Sequence, residues 1–341
     1  MNFITFAVSQ MGASHIVKGL PCQDYSLSYE SPERDVQIIV VCDGHGSAVH
    51  CRSDVGAKFA AESAQKVLLE FAKEPNNVTV FGGKCGSGTS RTEFEDSLWE
   101  VKKDESDLTE IERLRQEQSA EYQEQIADHP NAENAFRELC TCITENWKKS
   151  IQEHLKENPF LEREKELLGD RPPEKAYGTT LMAFLRTPSY WLAIHIGDGR
   201  ILYIDHGKNG GWKPLVPWDV NCFQNQTTSL CASNAVDYFR YAFGTINDDK
   251  CSPAVVFGCS DGIEDSFGDY EVCPGYLHDF YFKLLKMLME DGVDSSVEKM
   301  REGFAKLSER GSKDDMSLAG FVDFDAVPDI LKKWEKQKLK K

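Results

Sequence analysis

Residues 36–43 read VQIIVVCD, an unbroken apolar run rich in β-branched residues that stops at an aspartate. A run of this length without polar alternation reads as a strand buried on both faces. Gly44, His45 and Gly46 follow. The strand therefore ends in a carboxylate and an imidazole on an open loop.

The same ending recurs along the chain. SYWLAIHIGD (189–198) is a strand that runs into Asp198, and PAVVFGCSDG (253–262) is one that runs into Asp261. ITFAVSQMG (4–12), DYSLSYE (24–30), GTTLMAFLR (178–186) and GRILYIDHG (199–207) also read as strands, and KPLVP (213–217) adds a short one. GSKDDMSLAGFVDF (311–324) is a polar turn entering a last strand.

Helical spacing marks the rest. Ala60, Ala64, Val67, Leu68 and Phe71 share a face, with Pro75 beyond the end. Phe136, Leu139, Cys140, Ile143, Trp147, Ile151 and Leu155 form a longer stripe. Two more helices carry Phe280, Tyr281, Leu284, Leu285 and Leu288, then Val297, Met300, Phe304 and Leu307. Strands and helices are segregated, which predicts an α+β fold with antiparallel sheets, not an alternating parallel one.

Three segments read as polar. Residues 74–133 begin Gly- and Ser-rich and become densely charged from Glu93 to Asp128, so a solvated insertion, with a charged helix in it, is expected there. ENPFLEREKELLGDRPPEK (157–175) reads as a polar connection, and 218–250 as an irregular surface lobe. Residues 326–341 form a basic amphipathic tail, whose six lysines from Ile330 to Lys341 predict a solvated helix. No repeat or linker divides the chain, so one catalytic domain is expected over 1–325.

Composition narrows the function. A net charge of −17 over 341 residues repels a nucleic-acid backbone. Eleven cysteines without a CxxC pair fit a reducing cytoplasm, and Cys42, Cys140 and Cys259 read as core residues. The N-terminus lacks the pattern of a signal peptide, and no stretch approaches the roughly 18 apolar residues that span a bilayer.

One Asp-Gly at a strand end is ordinary turn chemistry, and Asp205 and Asp315 read that way. Repetition changes the reading. Asp43, Asp198 and Asp261 close strands, Asp24 opens one, and Asp314 precedes the last. Strand ends from one sheet edge converge, and converging carboxylates stay ionised only when cations sit among them. Hard oxygen ligands select Mg2+ or Mn2+. Two such ions, about 3.5–4 Å apart, share a hydroxide and set it opposite a leaving group. Gly44 lets its carbonyl approach an ion, and His45 can protonate a departing alkoxide.

Together these residues resemble the metal-dependent Ser/Thr protein phosphatases of type 2C, in the family's order from about residue 6 to 323. Gln23-Asp24 resembles the early acidic motif, and Asp43-Gly44-His45-Gly46 the Asp-Gly-His-Gly signature. Gly178-Thr179-Thr180, Gly197-Asp198-Gly199-Arg200, Ser260-Asp261-Gly262 and Asp314-Asp315-Met316-Ser317 resemble the later motifs. The short Gly-Leu-Pro-Cys-Gln-Asp version is similar to bacterial members.

The resemblance implies a sandwich of two antiparallel sheets flanked by helices, with metals at one end. It implies that Asp43 bridges two ions and that the Gly44 carbonyl binds one of them. Asp261 and Asp314 complete one site, Asp24 holds the other largely through water, and Asp198 with Asp261 forms a third. His45 is the implied general acid. The chain departs from the pattern in three places. Gly19 stands where the family has its phosphate-gripping arginine, leaving His15 and Lys18 as the nearby candidates. Asp315 replaces an Asn, and Gly199 a Ser.

The expected function is a phosphatase for phosphoserine and phosphothreonine in proteins, paired with a Ser/Thr kinase, with no covalent intermediate. The alternatives are a non-catalytic scaffold on the same fold and a phosphatase of small phosphate esters. The insertion and the 218–250 lobe are expected to carry substrate choice.

Overall fold

A computed structural model describes residues 2–81, 85–89, 130–207, 211–219, 221–222, 226–249, 252–268, 270 and 273–339. The charged helix expected within 93–128 lies outside these residues. The first half of the chain supplies β1 (Phe3–Gln10), α1 (Ala13–Lys18), β2 (Tyr25–Glu30), β3 (Gln37–Cys42), α2 (Ser53–Lys73), α3 (Pro75–Phe81), β4 (Cys85–Thr89), α4 (Pro130–Glu157) and α5 (Glu162–Leu168). The second half supplies β5 (Leu181–Arg186), β6 (Tyr190–Ile196), β7 (Arg200–Asp205), β8 (Lys213–Pro214), β9 (Arg240–Thr245), β10 (Pro253–Cys259), α6 (Asp261–Glu264), α7 (Pro274–Asp291), α8 (Val293–Arg310), β11 (Met316–Asp323) and α9 (Val327–Lys338).

The strands form two antiparallel sheets, ordered β1-β11-β10-β7-β8 and β2-β3-β5-β6-β9-β4. The unbroken apolar run of β3 is explained by its place. Ile39 and Val41 pack between the sheets with Met182, Phe184, Val256 and Phe321. Ile38, Val40 and Cys42 point the other way, into the layer under α2 and α4. Burying both faces stabilises the strand by about 1.5–3 kcal/mol per large side chain. Helices α7, α8 and α9 cover the outer face of the five-stranded sheet through Leu285, Phe304 and Trp334.

The helix layers are tightly seated. Trp147 of α4 is fully buried, and its indole N–H donates to the Gly56 carbonyl at 3.0 Å. A Cβ on Gly56 would lie 2.0 Å from the Tyr177 carbonyl oxygen, so α2 meets the turn Pro173–Tyr177 backbone to backbone.

Register carries the strand ends to one edge of the sandwich. Tyr25 lies opposite Cys42, so Asp24 and Asp43 flank one pair. Cys259 faces Leu318 on one side and Arg200 on the other, which sets Asp261 beside the start of β11 and the β6–β7 hairpin. Gln10 faces Met316, placing the loop after β1 against Asp314 and Asp315.

Several polar segments are more built-in than their composition suggests. Residues 75–81 form α3, with Phe81 fully buried among Phe136, Tyr190 and Phe243. Residues 85–89 are the edge strand β4, paired with β9 from Cys85↔Gly244 to Thr89↔Arg240. Backbone pairing is indifferent to the Gly-Ser sequence, which has no side-chain period to read. Residues 240–245, inside the expected lobe, are the buried strand β9. Residues 162–168 of the expected polar connection form α5, held by a bidentate Arg52–Glu164 pair at 2.7 and 2.8 Å.

The tail is also docked. Ile330 and Trp334 of α9 are buried, Trp334 stacks on Phe282 with centroids 5.0 Å apart, and its N–H donates to Asp279. Lys338 pairs with Asp279 at 2.8 Å, so part of the basic charge lies on the protein's own acidic surface.

Candidate active site

Asp43 follows β3, and its backbone is held on three sides. Its N–H donates to Thr180 Oγ1 (3.0 Å), and its carbonyl accepts from the Thr180 N–H (2.8 Å) and Thr179 Oγ1 (2.9 Å). Gly44 bridges to Thr179, and a Cβ there would sit 2.3 Å from the Gln23 carbonyl oxygen. Glycine is thus demanded by the close passage of the chain before Asp24. Gly262 has a parallel reason, since its Cβ would fall 2.0 Å from the Asp315 carbonyl oxygen.

Asp24, Asp43, Asp198 and Asp261 are brought together. Burial raises the pKa of each, and repulsion from nearby carboxylates adds to it. For Asp43 the further causes are Asp261, Asp24 and Asp198. For Asp24 they are Asp315, Asp261 and Asp314, with a Ser260 hydrogen bond opposing. Asp261 is pushed up to about 7, by burial first and Asp198 next. Asp198 is raised by burial, with Thr227 and Arg240 working against the shift. Asp314 stands at the rim, its side chain 55% exposed, close enough to act on Asp24 and Asp261.

This donor set fits divalent cations. The groups are hard oxygens, crowded and buried, and Asp24 Oδ2 has no hydrogen-bond partner. Among the described residues no three His, Cys, Asp or Glu side chains stand in direct chelating geometry.

His45 follows Asp43 by two residues, and its side chain is held by neighbours from other segments. Its Nε2 is 2.7 Å from Ser229 Oγ, its N–H donates to the Gly178 carbonyl, and its ring meets His50 edge-on at 4.8 Å. Burial, His50 and Lys175 lower its pKa to about 3, which keeps the imidazole neutral in the metal-free chain. Gly178 is required beneath it, because a Cβ there would strike both the His50 and His45 rings.

His15 is buried and engaged. Its Nδ1 lies 2.8 Å from Asp315 Oδ2 and 3.0 Å from the Pro21 carbonyl, and its Nε2 is 3.8 Å from Asp314 Oδ1. Asp315 also accepts the Gly12 and Gln23 N–H groups at 2.6 Å each. It therefore ties three segments together, and its negative charge is met by an imidazole. Lys18 is exposed at the end of α1, and Gly19 follows in the left-handed region with φ +64° and open space around it.

Of two supporting arginines, Arg240 comes from a segment that sequence reading left as an irregular lobe, and Arg200 from the Gly197–Arg200 motif. Arg240 donates to the Gly197 and Pro217 carbonyls at 2.7 Å each and lies 3.8 Å from Asp219. Arg200 pairs with Glu264 at 2.6 Å, between the faces of Trp218 and Tyr270. Both arginines hold the hairpin that carries Asp198. The sequence signal they share is that each is a charge inside a strand whose other residues are mostly apolar.

The family model for protein phosphatase 2C matches residues 11–305. No curated protein matches the chain. Among solved structures, the serine/threonine phosphatase Stp1 from Staphylococcus aureus is 13% identical with a TM-score of 0.47, covering 95% of this chain and 96% of its own. PppA, a regulatory component of T6SS in Pseudomonas aeruginosa, is 13% identical at TM-score 0.47, covering 95% and 99%. The S. agalactiae serine/threonine phosphatase is 14% identical at TM-score 0.45, covering 94% and 99%.

Proposed function

The chain belongs to the protein phosphatase 2C family, a metal-dependent phosphatase family, and we propose that it hydrolyses phosphoserine and phosphothreonine in proteins. The single observation that carries this reading is the buried, mutually repelling group of Asp24, Asp43, Asp198 and Asp261 at the sandwich edge.

In this reading Asp24, Asp43, Asp198, Asp261 and Asp314, with the Gly44 carbonyl, are the residues that would hold the ions. When bound, Mn2+ or Mg2+ lowers the pKa of water and neutralises charge on the phosphoryl oxygens. The chain's own residues set the geometry. Thr179 and Thr180 fix the Asp43 backbone, and Arg240 fixes the Asp198 hairpin. His45 protonates the serine or threonine oxygen as it leaves. Lys18 and the Nε2 side of His15 attract the phosphate. With Nδ1 engaged by Asp315, His15 grips less than a guanidinium would.

Residues 1–325 act as one catalytic unit, with α9 packed on its outer face. A Ser/Thr kinase supplies the substrate. No helix among the described residues is long and apolar enough to cross a membrane, and the described cysteines are free, which supports a reducing cytoplasm.

The test is manganese-dependent hydrolysis of p-nitrophenyl phosphate and of phosphopeptides. Asp43→Ala and Asp261→Ala abolish both while far-UV circular dichroism is kept. Retained turnover in either variant overturns the assignment.

A further inference from the structure

Exposed apolar side chains are unevenly placed on this molecule. Among the described residues eight large hydrophobics are exposed, and three of them, Ile16 (61%), Val17 (87%) and Leu20 (37%), lie within five consecutive positions. Single exposed apolar residues are ordinary, whereas a cluster marks a surface that something covers. Residues 11–22 also contain no carboxylate, and Lys18 is their only Lys or Arg, in a protein of net charge −17.

The patch is held beside the candidate centre. His15, the residue before Ile16, brings its Nε2 to 3.8 Å from Asp314 Oδ1. Backbone groups fix the segment against the same loop. The Gly12 N–H donates to Asp315 at 2.6 Å, the Ala13 N–H to Ser308 Oγ at 2.9 Å and the Ser14 N–H to the Lys313 carbonyl at 2.9 Å. The Leu20 N–H donates to the His15 carbonyl at 3.0 Å, which ties Leu20 back to α1. A surface already ordered loses little freedom when it binds. An extended peptide advances about 3.3–3.6 Å per residue, so a residue a few places from a phosphoserine at the centre arrives over this patch.

We propose that Ile16, Val17 and Leu20 form a specificity site for the phosphoprotein substrate, taking a large apolar residue that flanks the phosphoserine or phosphothreonine on one side. The inference rests on the phosphatase reading above and deepens it by naming a substrate class. Three observations select this occupant. The patch is continuous with the carboxylate centre through His15. Its three side chains expose on the order of a few hundred Å2, far below the roughly 800 Å2 per partner that a stable dimer buries, yet enough to seat one or two side chains of a peptide. Lys18, exposed among them, suits a segment that carries a phosphate, while the net charge of −17 opposes a second copy and an anionic membrane alike. An apolar contact away from the reacting atoms is made equally before and in the transition state, so it lowers KM and leaves kcat nearly unchanged.

The test uses the full chain with Mn2+ and a set of phosphoserine peptides, otherwise Gly, Ser and Asn, with one leucine moved through four positions on either side. In the wild type, leucine at one or two positions on one side raises kcat/KM about tenfold over the all-polar peptide, through KM. The triple variant Ile16→Gln, Val17→Gln, Leu20→Gln loses that preference and keeps p-nitrophenyl phosphate turnover. Should the triple variant not fold, Val17→Gln alone, at the most exposed of the three positions, lowers the preference about threefold. A wild type that hydrolyses p-nitrophenyl phosphate and all peptides equally overturns the proposal and leaves the phosphatase reading standing. A preference that survives the substitutions also overturns it. A wild-type dimer that the substitutions dissociate in sedimentation assigns the patch to a second copy, and pelleting with phosphatidylcholine vesicles that they abolish assigns it to a membrane. Either result overturns the proposal. A wild type that turns over neither p-nitrophenyl phosphate nor any peptide overturns the phosphatase reading, and this inference with it.

Discussion

His15 Nδ1 and Asp315 Oδ2 are 2.8 Å apart, both side chains nearly fully buried, at the seam between the first and last strands. The carboxylate takes two backbone N–H groups besides the imidazole, one from Gly12 and one from Gln23. Removing it leaves the two buried backbone N–H groups unmatched, while His15 keeps the Pro21 carbonyl. Asp315→Ala is expected to lower unfolding free energy by about 3–5 kcal/mol, the usual cost of breaking a buried pair. The urea midpoint measures it, and His15→Ala in the Asp315→Ala background adds little, because the partner is already gone.

Metal removal has a predictable sign. Four crowded carboxylates destabilise the chain without ions, so Mn2+ raises the melting temperature. The gain is about 2.7 kcal/mol when the ion is present at a hundred times its dissociation constant. In chelator, Asp261→Asn melts above the wild type because one repelling charge is gone, and added Mn2+ then raises it less. Calorimetry with and without chelator reads both.

His206 gives a pH dependence remote from the carboxylates. Its Nε2 is 3.0 Å from Asp323 Oδ2 and its Nδ1 3.0 Å from the Ser252 carbonyl, so both nitrogens face acceptors. The Asp323 hydrogen bond raises its pKa above 6.5. The folded chain thus holds this proton more tightly than the unfolded chain does. The contribution is complete below about pH 6.5 and is lost as pH rises through the higher folded value. The stability difference between wild type and His206→Gln should shrink across that interval in urea titrations at stepped pH.

Gly56 tests the helix–turn contact. Gly56→Ala puts a methyl 2.0 Å from a backbone oxygen that has little room to retreat. A loss of about 1–3 kcal/mol or more is expected, as for other overpacked sites. Ordinary helix propensity would have favoured alanine there by about 1 kcal/mol, so the sign alone is diagnostic in a denaturation curve.

Trp334 tests the docked tail. Trp334→Ala removes the stack on Phe282 and the hydrogen bond to Asp279, with an expected cost of about 3 kcal/mol. A solvated tail would show a change within about 0.5 kcal/mol.

Strand-end aspartates were readable because Asp43 and Asp261 interrupt apolar runs, and a sheet forces such ends toward a common edge. The helices under Trp147 and Leu285 were readable from period alone. Ser229, Asp219 and Arg240 were not, because an irregular segment has no period and its residues acquire roles only through partners far along the chain. Strand β4 was hidden for a related reason: Cys-Gly-Ser-Gly-Thr offers the sheet a backbone and almost no side chains. Asp315 was read as turn chemistry, and its structural role is larger, since it clamps Gly12, His15 and Gln23 at once.

The pairing of β1 with β11, from Phe3↔Asp323 to Gln10↔Met316, bears on the birth of the molecule. A ribosome releases the opening strand almost a whole chain before its hydrogen-bonding mate exists. Until then those residues are an unsatisfied edge, exposed to chaperones and to other nascent chains. Asp314 also joins Asp24 and Asp261 only at that late docking, so a translation product interrupted before the closing strand lacks the rim carboxylate of the centre.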